Sequence, residues 1–218
     1  MKNKPTKREI ETLMERFPCL APLQERLSQC VDMITATYRS GGKLLVCGNG
    51  GSAADSLHIV GELMKGFALK RRISLDIQKA LVAQYPNEAA YYIQNLQAAV
   101  PAISLVSETA LITAYSNDQA ADLSMAQQVL GYGRPGDTLL AISTSGNSPN
   151  VIHAARIARV LKVRVVSLTG QGGGKLAALS DILLDVPSQV TYQVQEMHLP
   201  VYHALCLAVE RELFDVHS

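Results

Sequence analysis

The residues of this chain that are able to do chemistry fall into two polar loops and two helical groupings. The first loop, Cys47-Gly48-Asn49-Gly50-Gly51-Ser52, follows the apolar run at 43–46, and the second, Ser143-Thr144-Ser145-Gly146-Asn147-Ser148, follows the run at 137–142. Each stands where a strand should pass into a helix. Small residues let the backbone come close to an anion, and the helix that follows presents free N–H groups and a partial positive charge. Two such loops in one domain point to a phosphorylated small molecule, gripped at one loop and steered by the other. The hydroxyls of Ser143, Thr144, Ser145 and Ser148, with backbone N–H groups, can satisfy phosphate oxygens without a lysine. A Walker-type loop is excluded because neither segment contains Gly-Lys-Ser/Thr. The same N–H groups serve an ordinary capped turn, with Ser148 or Asn147 capping the helix that Pro149 opens, so capping and phosphate binding are compatible.

His58 and Glu62 stand four apart on the helix predicted after the first loop and share a face of it. An imidazole and a carboxylate at this spacing can coordinate a metal or share a proton transfer, and the same spacing is found in plain surface pairs. The last helix carries Gln195, Glu196, His198 and His203. Gln195 and His203 are eight positions apart, about 12 Å along a helix axis and rotated by roughly 80°. One ion reaches both only if the side chains lean inward or if different subunits supply them. Pro200, between them, cannot donate to the Glu196 carbonyl. Lys65, Lys70, Arg71 and Arg72 form a basic cluster of the kind usually found in solvent. Asp118, after Asn117, falls in a loop expected at the ligand end of the sheet. There it would bind a sugar hydroxyl or close an Asx turn.

Strands alternating with helices must position these groups. Helices are predicted over 7–17, 22–39, 52–65, 107–116, 121–130, 149–161, 175–179 and 194–214. Strands are predicted over 43–47, 102–106, 137–142, 163–168 and 182–186. Leu23, Leu27, Val31, Ile34 and Tyr38 line one face of the second helix. Two further helices, over 75–84 and 88–98 with a break at Pro86-Asn87, form a helical insertion around 70–99. The pattern implies an α/β fold: one domain over 1–218, with N-terminal helices at 1–40 and a five-stranded parallel sheet flanked by helices on both faces in 41–218. Ligands in such sheets bind beyond the carboxyl ends of the strands, where both loops lie.

Composition narrows the function classes. The 218 residues are 48% hydrophobic and 18% charged, with a formal net charge of +1. This suits a globular domain with a substantial core and argues against an extensive nucleic-acid footprint. No apolar run is long enough to span a membrane, and the first residues lack the apolar stretch of a signal peptide. Cys19, Cys30, Cys47 and Cys206 have no Cys-x-x-Cys spacing, which points to reduced thiols and a cytoplasmic protein.

CGNGGS at 47–52, HxxxE at 58–62, STSGNS at 143–148, LTGxxGG at 168–174 and QEMH at 195–198 followed by His203 resemble the sugar isomerase (SIS) domain family, and within it the bacterial phosphoheptose isomerases. The likeness spans roughly residues 41–214. It implies an SIS-domain homotetramer with active sites at subunit interfaces that converts sedoheptulose 7-phosphate into a heptose 7-phosphate for envelope polysaccharide. It implies phosphate on Ser143, Thr144, Ser145 and Ser148. It places Asn49, Gly50, Gly51, Ser52, Asp118 and Gln195 around the sugar. By the same likeness Glu62 is the base between C1 and C2, His203 its acid/base partner, and His58, Glu62, Gln195 and His203 the ligands of one Zn2+ per subunit. Two features depart from the family pattern: the length of 70–99, and Lys65-Gly66 where the family tends to have Gly-Arg. Arg71 or Arg72 is then the replacement for that arginine.

Functions of other classes fit parts of the same sequence. A non-catalytic phosphosugar-binding protein that regulates or docks a partner, like the relative associated with the bacterial replication initiator, would keep the loops, and the extra helices favour it. A sugar-phosphate lyase or etherase would also use a glutamate beside a carbonyl, but the Gln195 and His203 pair fits isomerisation better.

Overall fold

The computed structural model describes residues 5–215. In chain order its helices are α1 (Pro5–Arg16), α2 (Gln24–Arg39), α3 (Gly51–Met64), α4 (Leu75–Gln84), α5 (Ala89–Asn95), α6 (Thr109–Tyr115), α7 (Ser124–Tyr132), α8 (Pro149–Val160) and α9 (Thr191–Phe214). Its strands are β1 (Leu44–Cys47), β2 (Ala102–Ser104), β3 (Thr138–Ser143), β4 (Arg164–Gly170) and β5 (Ile182–Val186). The strands form one sheet in the order β2-β1-β3-β4-β5, and every pairing is parallel.

Both sheet faces are covered, which is why β1 and β3 are apolar runs without alternation. Leu44, Val46, Leu140, Ile142, Val166 and Leu168 turn to one core, closed by α1, α2, α3 and α9 through residues such as Leu27, Ile34, Ile59, Val201 and Leu205. Leu45, Cys47, Leu139, Ala141 and Val165 turn to the other, closed by α7 and α8 through Val129, Val151, Ile152 and Ala155. This is the three-layer arrangement expected from the sequence. The chain leaves β1 in one direction to reach β2 and then returns past β1 to β3. The strand order therefore reverses between β1 and β3, where Cys47 pairs with Ala141. The crevice of an open α/β sheet forms at such a reversal, and both polar loops leave from it.

Several boundaries differ from the sequence expectation. Pro18–Leu23 is a 3-10 turn containing Pro22, so α2 begins at Gln24. After α6 the chain passes through a π-helical turn, Ser116–Ala120, where an Asn117-Asp118 turn was predicted, and then a 3-10 turn, Ala121–Leu123, which delays α7 to Ser124. α9 begins at Thr191 and stays helical through Pro200.

The 70–99 segment carries the two helices predicted for it, α4 and α5. Its base is closed by an antiparallel bridge between Arg72 and Gln97, by the Ala98 N–H on the Arg71 carbonyl, and by the Gly66 N–H on Gln97 Oε1 at 2.7 Å. α5 ends at Asn95 because Gln97 enters this bridge. α4 has no buried residue, and Leu75, Ile77 and Val82 stand exposed on it.

The basic cluster needs correcting. Arg71 is not solvated: its side chain and that of Glu210 are both fully buried and paired at 2.7 Å. Its other nitrogens donate to the carbonyls of Leu63 and Glu62. Glu210 also accepts the backbone N–H groups of Phe67, Ala68 and Leu69, and Phe214 lies against the guanidinium. Spoken for on every side, Arg71 cannot replace a substrate-touching arginine. No helix among the described residues is long and apolar enough to cross a membrane.

Candidate active site

The first loop depends on its glycines. A Cβ on Gly48 would lie 2.5 Å from the Ser52 carbonyl oxygen, and Gly50 adopts φ +54°. Ser52 is buried and Asn49 exposed. The Asn49 amide pairs reciprocally with that of Asn150 at 2.9 and 2.8 Å, which fastens the first loop to the start of α8. Sequence reasoning missed Asn150, since an asparagine near a helix start reads as an ordinary cap. In the second loop, Ser143 Oγ and Ser148 Oγ are 3.0 Å apart and Ser145 Oγ accepts the Asn147 N–H. Gly146, at φ +64°, packs against Gly173, and Asn147 Oδ1 accepts the Lys175 N–H. The run of glycines after β4 thus buttresses the second loop. Neither Ser148 nor Asn147 caps α8; the Val151 N–H goes to Asn150 Oδ1. The Ser148 hydroxyl faces Ser143 instead, and Thr144 and Ser145 are at least partly open. Asp118 is exposed in the π-helical turn and accepts from the Asn117 amide. Among the described residues no hydrogen bond joins it to either loop.

A second group of residues lies where α3 and α9 run side by side. Gln195 sits against Gly51, so that a Cβ there would collide with its amide. His58, two turns further on, meets Tyr202 and His203, with ring centroids 5.6 and 5.1 Å apart and edges to faces. His58 Nε2 is 3.2 Å from Glu62 Oε1, and Lys65 Nζ is 2.8 Å from Glu62 Oε2. His58 Nδ1 is 3.0 Å from the Tyr202 hydroxyl, which in turn is 3.3 Å from Asp55 Oδ1. Phe67 packs on His203 from the far side. A cavity of about 220 Å³ between α1 and α9, lined by Glu9, Arg16 and Glu196 among others, reaches His203.

The electrostatics suit acid/base work. Partial burial opposes charge on Glu62, but Lys65 and His58 outweigh it and hold the carboxyl below its ordinary pKa. Burial, and then the neighbouring His58, pull His203 below the usual imidazole value. Burial pushes Asp55 up, against the Tyr202 hydrogen bond and His58. His198 belongs to the core and not to this group. It is fully buried, neither ring nitrogen has a partner in hydrogen-bond geometry, and burial takes its pKa to about 4, the nearby Thr169 backbone opposing only in part.

The structure thus brings His58, Glu62 and His203 together and leaves Gln195 with Gly51, about 10 Å away along α3. Asp55 and Tyr202 also belong to the group and were missed. Asp55 is one turn before His58 and Tyr202 is next to His203, but neither spacing marks a role. The donor set fits a zinc ion in kind: two imidazoles and one carboxylate, with the Nε2 of one imidazole, His203, buried and without a partner. It is incomplete in one chain, since no three His, Cys, Asp or Glu among the described residues converge closely enough to hold a metal.

A hydroxyl- and glycine-lined crevice at a strand reversal, with a carboxylate–imidazole group on the helix that leaves it, defines an open α/β protein with its ligand crevice at the carboxyl ends of the strands. The SIS domain pattern matches residues 8–78 and 79–170, and the chain belongs to the SIS domain family. It is 36% identical over 206 residues to a phosphoheptose isomerase of Akkermansia muciniphila, covering 94% of this chain and 95% of the relative. To a phosphoheptose isomerase of Rhodospirillum rubrum it is 39% identical over 203 residues, covering 93% and 94%. The solved structure of phosphoheptose isomerase GmhA from Neisseria gonorrhoeae superposes with a TM-score of 0.70 at 32% identity, over 94% of this chain and 92% of that one.

Proposed function

We propose that this protein is a phosphosugar isomerase of heptose biosynthesis, interconverting sedoheptulose 7-phosphate and D-glycero-D-manno-heptose 7-phosphate through an enediolate. The observation that carries the reading is Glu62, held ionised by Lys65 and His58, beside the imidazole of His203 on helices that abut the phosphate loops. Ser143, Thr144, Ser145 and Ser148 hold the phosphate on the N-terminus of α8. Asn49 and Ser52 orient the sugar. The Glu62 carboxylate takes the proton from C1 of the ketose, and the same proton returns to C2. His203, neutral because of its burial, exchanges the proton of the adjacent oxygens.

One Zn2+ per subunit is part of the proposal, held by His58, Glu62, His203 and Gln195. When bound it would polarise the carbonyl and enediolate oxygens. Two separations support a homotetramer with interfacial sites. Gln195 and His203 of one chain lie at different ends of the α3–α9 contact, and Glu62 is ten residues, roughly 15 Å, along α3 from the first loop. A second subunit then supplies what one chain holds apart. The four cysteines are free and three of them are buried, in keeping with a cytoplasmic protein.

The exposed apolar residues of α4 favour a second reading, a phosphosugar-binding scaffold that docks a partner. One experiment separates the two. Zinc-replete protein is incubated with sedoheptulose 7-phosphate, and aldose phosphate is followed by mass-resolved chromatography. Turnover by the wild type and none by Glu62→Gln supports the isomerase. Phosphosugar binding without turnover by either supports the scaffold.

A further inference from the structure

We infer that Tyr202 is a positioning residue, whose hydroxyl, committed to Asp55, fixes His58 in the Nδ1–H tautomer and turns the Nε2 lone pair toward Glu62. The Tyr202 hydroxyl has one proton and two polar neighbours, Asp55 Oδ1 at 3.3 Å and His58 Nδ1 at 3.0 Å. An ionised carboxylate can only accept, so the phenol proton goes to Asp55 and the phenol oxygen is left as an acceptor. His58 must then donate from Nδ1. In a neutral imidazole the other nitrogen carries the lone pair. That nitrogen, Nε2, lies 3.2 Å from Glu62 Oε1.

Two acceptors at this distance repel one another unless a proton, which is how His58 lowers the Glu62 pKa, or a metal cation stands between them. The arrangement thus aims a nitrogen and a carboxylate oxygen at one point, as a pair of donors to a Lewis acid. The other carboxylate oxygen, Oε2, is already taken by Lys65 at 2.8 Å. Tyr202 cannot swing away: it is 1% exposed, with its ring edge-to-face on both His58 and His203. Without its hydroxyl, His58 would be free to carry its proton on Nε2 and close an ordinary hydrogen bond to Glu62, which removes the lone pair from the site. A metal-bound histidine is commonly fixed through its other nitrogen by a carboxylate or carbonyl; here the carboxylate of Asp55 acts through a phenol.

The tautomer follows from the Asp55–Tyr202–His58 geometry with Asp55 ionised and His58 neutral, and its consequence for zinc rests on the function proposed above. The test uses zinc-stripped, full-length protein with 15N-labelled histidine. Long-range 1H–15N spectra are recorded at mildly alkaline pH and the His58 signals are assigned with His58→Gln. The wild type is expected to show the Nδ1–H tautomer. Tyr202→Phe, which keeps the packed ring, and Asp55→Asn, which no longer commits the phenol proton, are expected to shift His58 toward Nε2–H. In chelator competition, Zn2+ is expected to bind Tyr202→Phe about ten-fold or more weaker than wild type. An Nε2–H tautomer in the wild type, or a tautomer unchanged in both variants, overturns the inference. If the wild type binds no zinc, the metal assignment falls while the tautomer comparison still decides the role of Tyr202.

Discussion

Glu62 and His198 show burial overruled by neighbouring groups at one ionisable residue and prevailing at another. Glu62 has Lys65 Nζ at 2.8 Å on one oxygen and His58 Nε2 at 3.2 Å on the other, and these neighbours outweigh its partial burial and keep it a carboxylate. Glu62→Gln keeps the shape and loses the base. Its kcat is expected to fall by about 10²–10⁴, with phosphosugar affinity, measured by calorimetry, nearly unchanged because the loops are untouched. His198 has no charged partner and burial holds it neutral, with a pKa of about 4 against an ordinary 6.5, the Thr169 backbone opposing only in part. The unfolded chain therefore gains a proton below pH 6.5 that the native protein refuses until about pH 4. The His198 contribution to stability is full above pH 6.5 and is lost as pH falls toward 4. Between pH 7 and pH 5 this loss is about 2 kcal/mol. Urea titrations at the two pH values should show it in the wild type, and His198→Phe should shrink the difference.

At the scale of elements, the turn that follows α3 is organised around one buried ion pair. Arg71 ties the end of α3 to α9, and Glu210 caps three N–H groups of residues 67–69. Removing one partner strands the other charge out of water. Arg71→Met is expected to cost about 3–5 kcal/mol in denaturant unfolding. Adding Glu210→Leu should recover only part of that, because three backbone donors then lose their acceptor. The α4–α5 hairpin makes the opposite case. α4 buries nothing, so replacing 75–95 by a short Gly-Ser linker is expected to leave the far-UV circular dichroism of the sheet and core helices in place. The melting temperature should drop by only a few degrees. A collapse of the fold on excision would show that the hairpin is part of the core after all.

At the scale of the whole molecule, the first loop and Glu62 stand at opposite ends of α3, ten residues or roughly 15 Å apart. If each site takes its loops from one copy and Glu62 from another, two inactive variants should complement. Glu62→Gln and Thr144→Ala proteins, each nearly inactive alone, are expected to regain up to about a quarter of wild-type turnover when unfolded and refolded together, from sites that draw both intact halves. Light scattering on the same samples reports the assembly, and an active monomer would exclude the arrangement.

The alternation of apolar runs with periodic helices determined the parallel sheet, its two covered faces and the place of both loops, because a four- to six-residue run buried on both sides has few other uses. The loops and the His58–Glu62 pair were legible for the same local reason: four residues make one helical turn, and glycine is needed wherever backbone crosses backbone, as at Gly48 and Gly146. What lay beyond reach was pairing at long range. The Asn49–Asn150 amide pair, the Asp55–Tyr202–His58 chain and the Arg71–Glu210 ion pair join residues 101 to 147 positions apart, and no local spacing encodes them. Arg71 sits in a basic run that reads as solvated surface, yet the turn after α3 folds it inward onto Glu210. Only the packing of α9 along α3 decided which histidine faces the carboxylate, which one is sealed in the core, and that Gln195 stands apart from both.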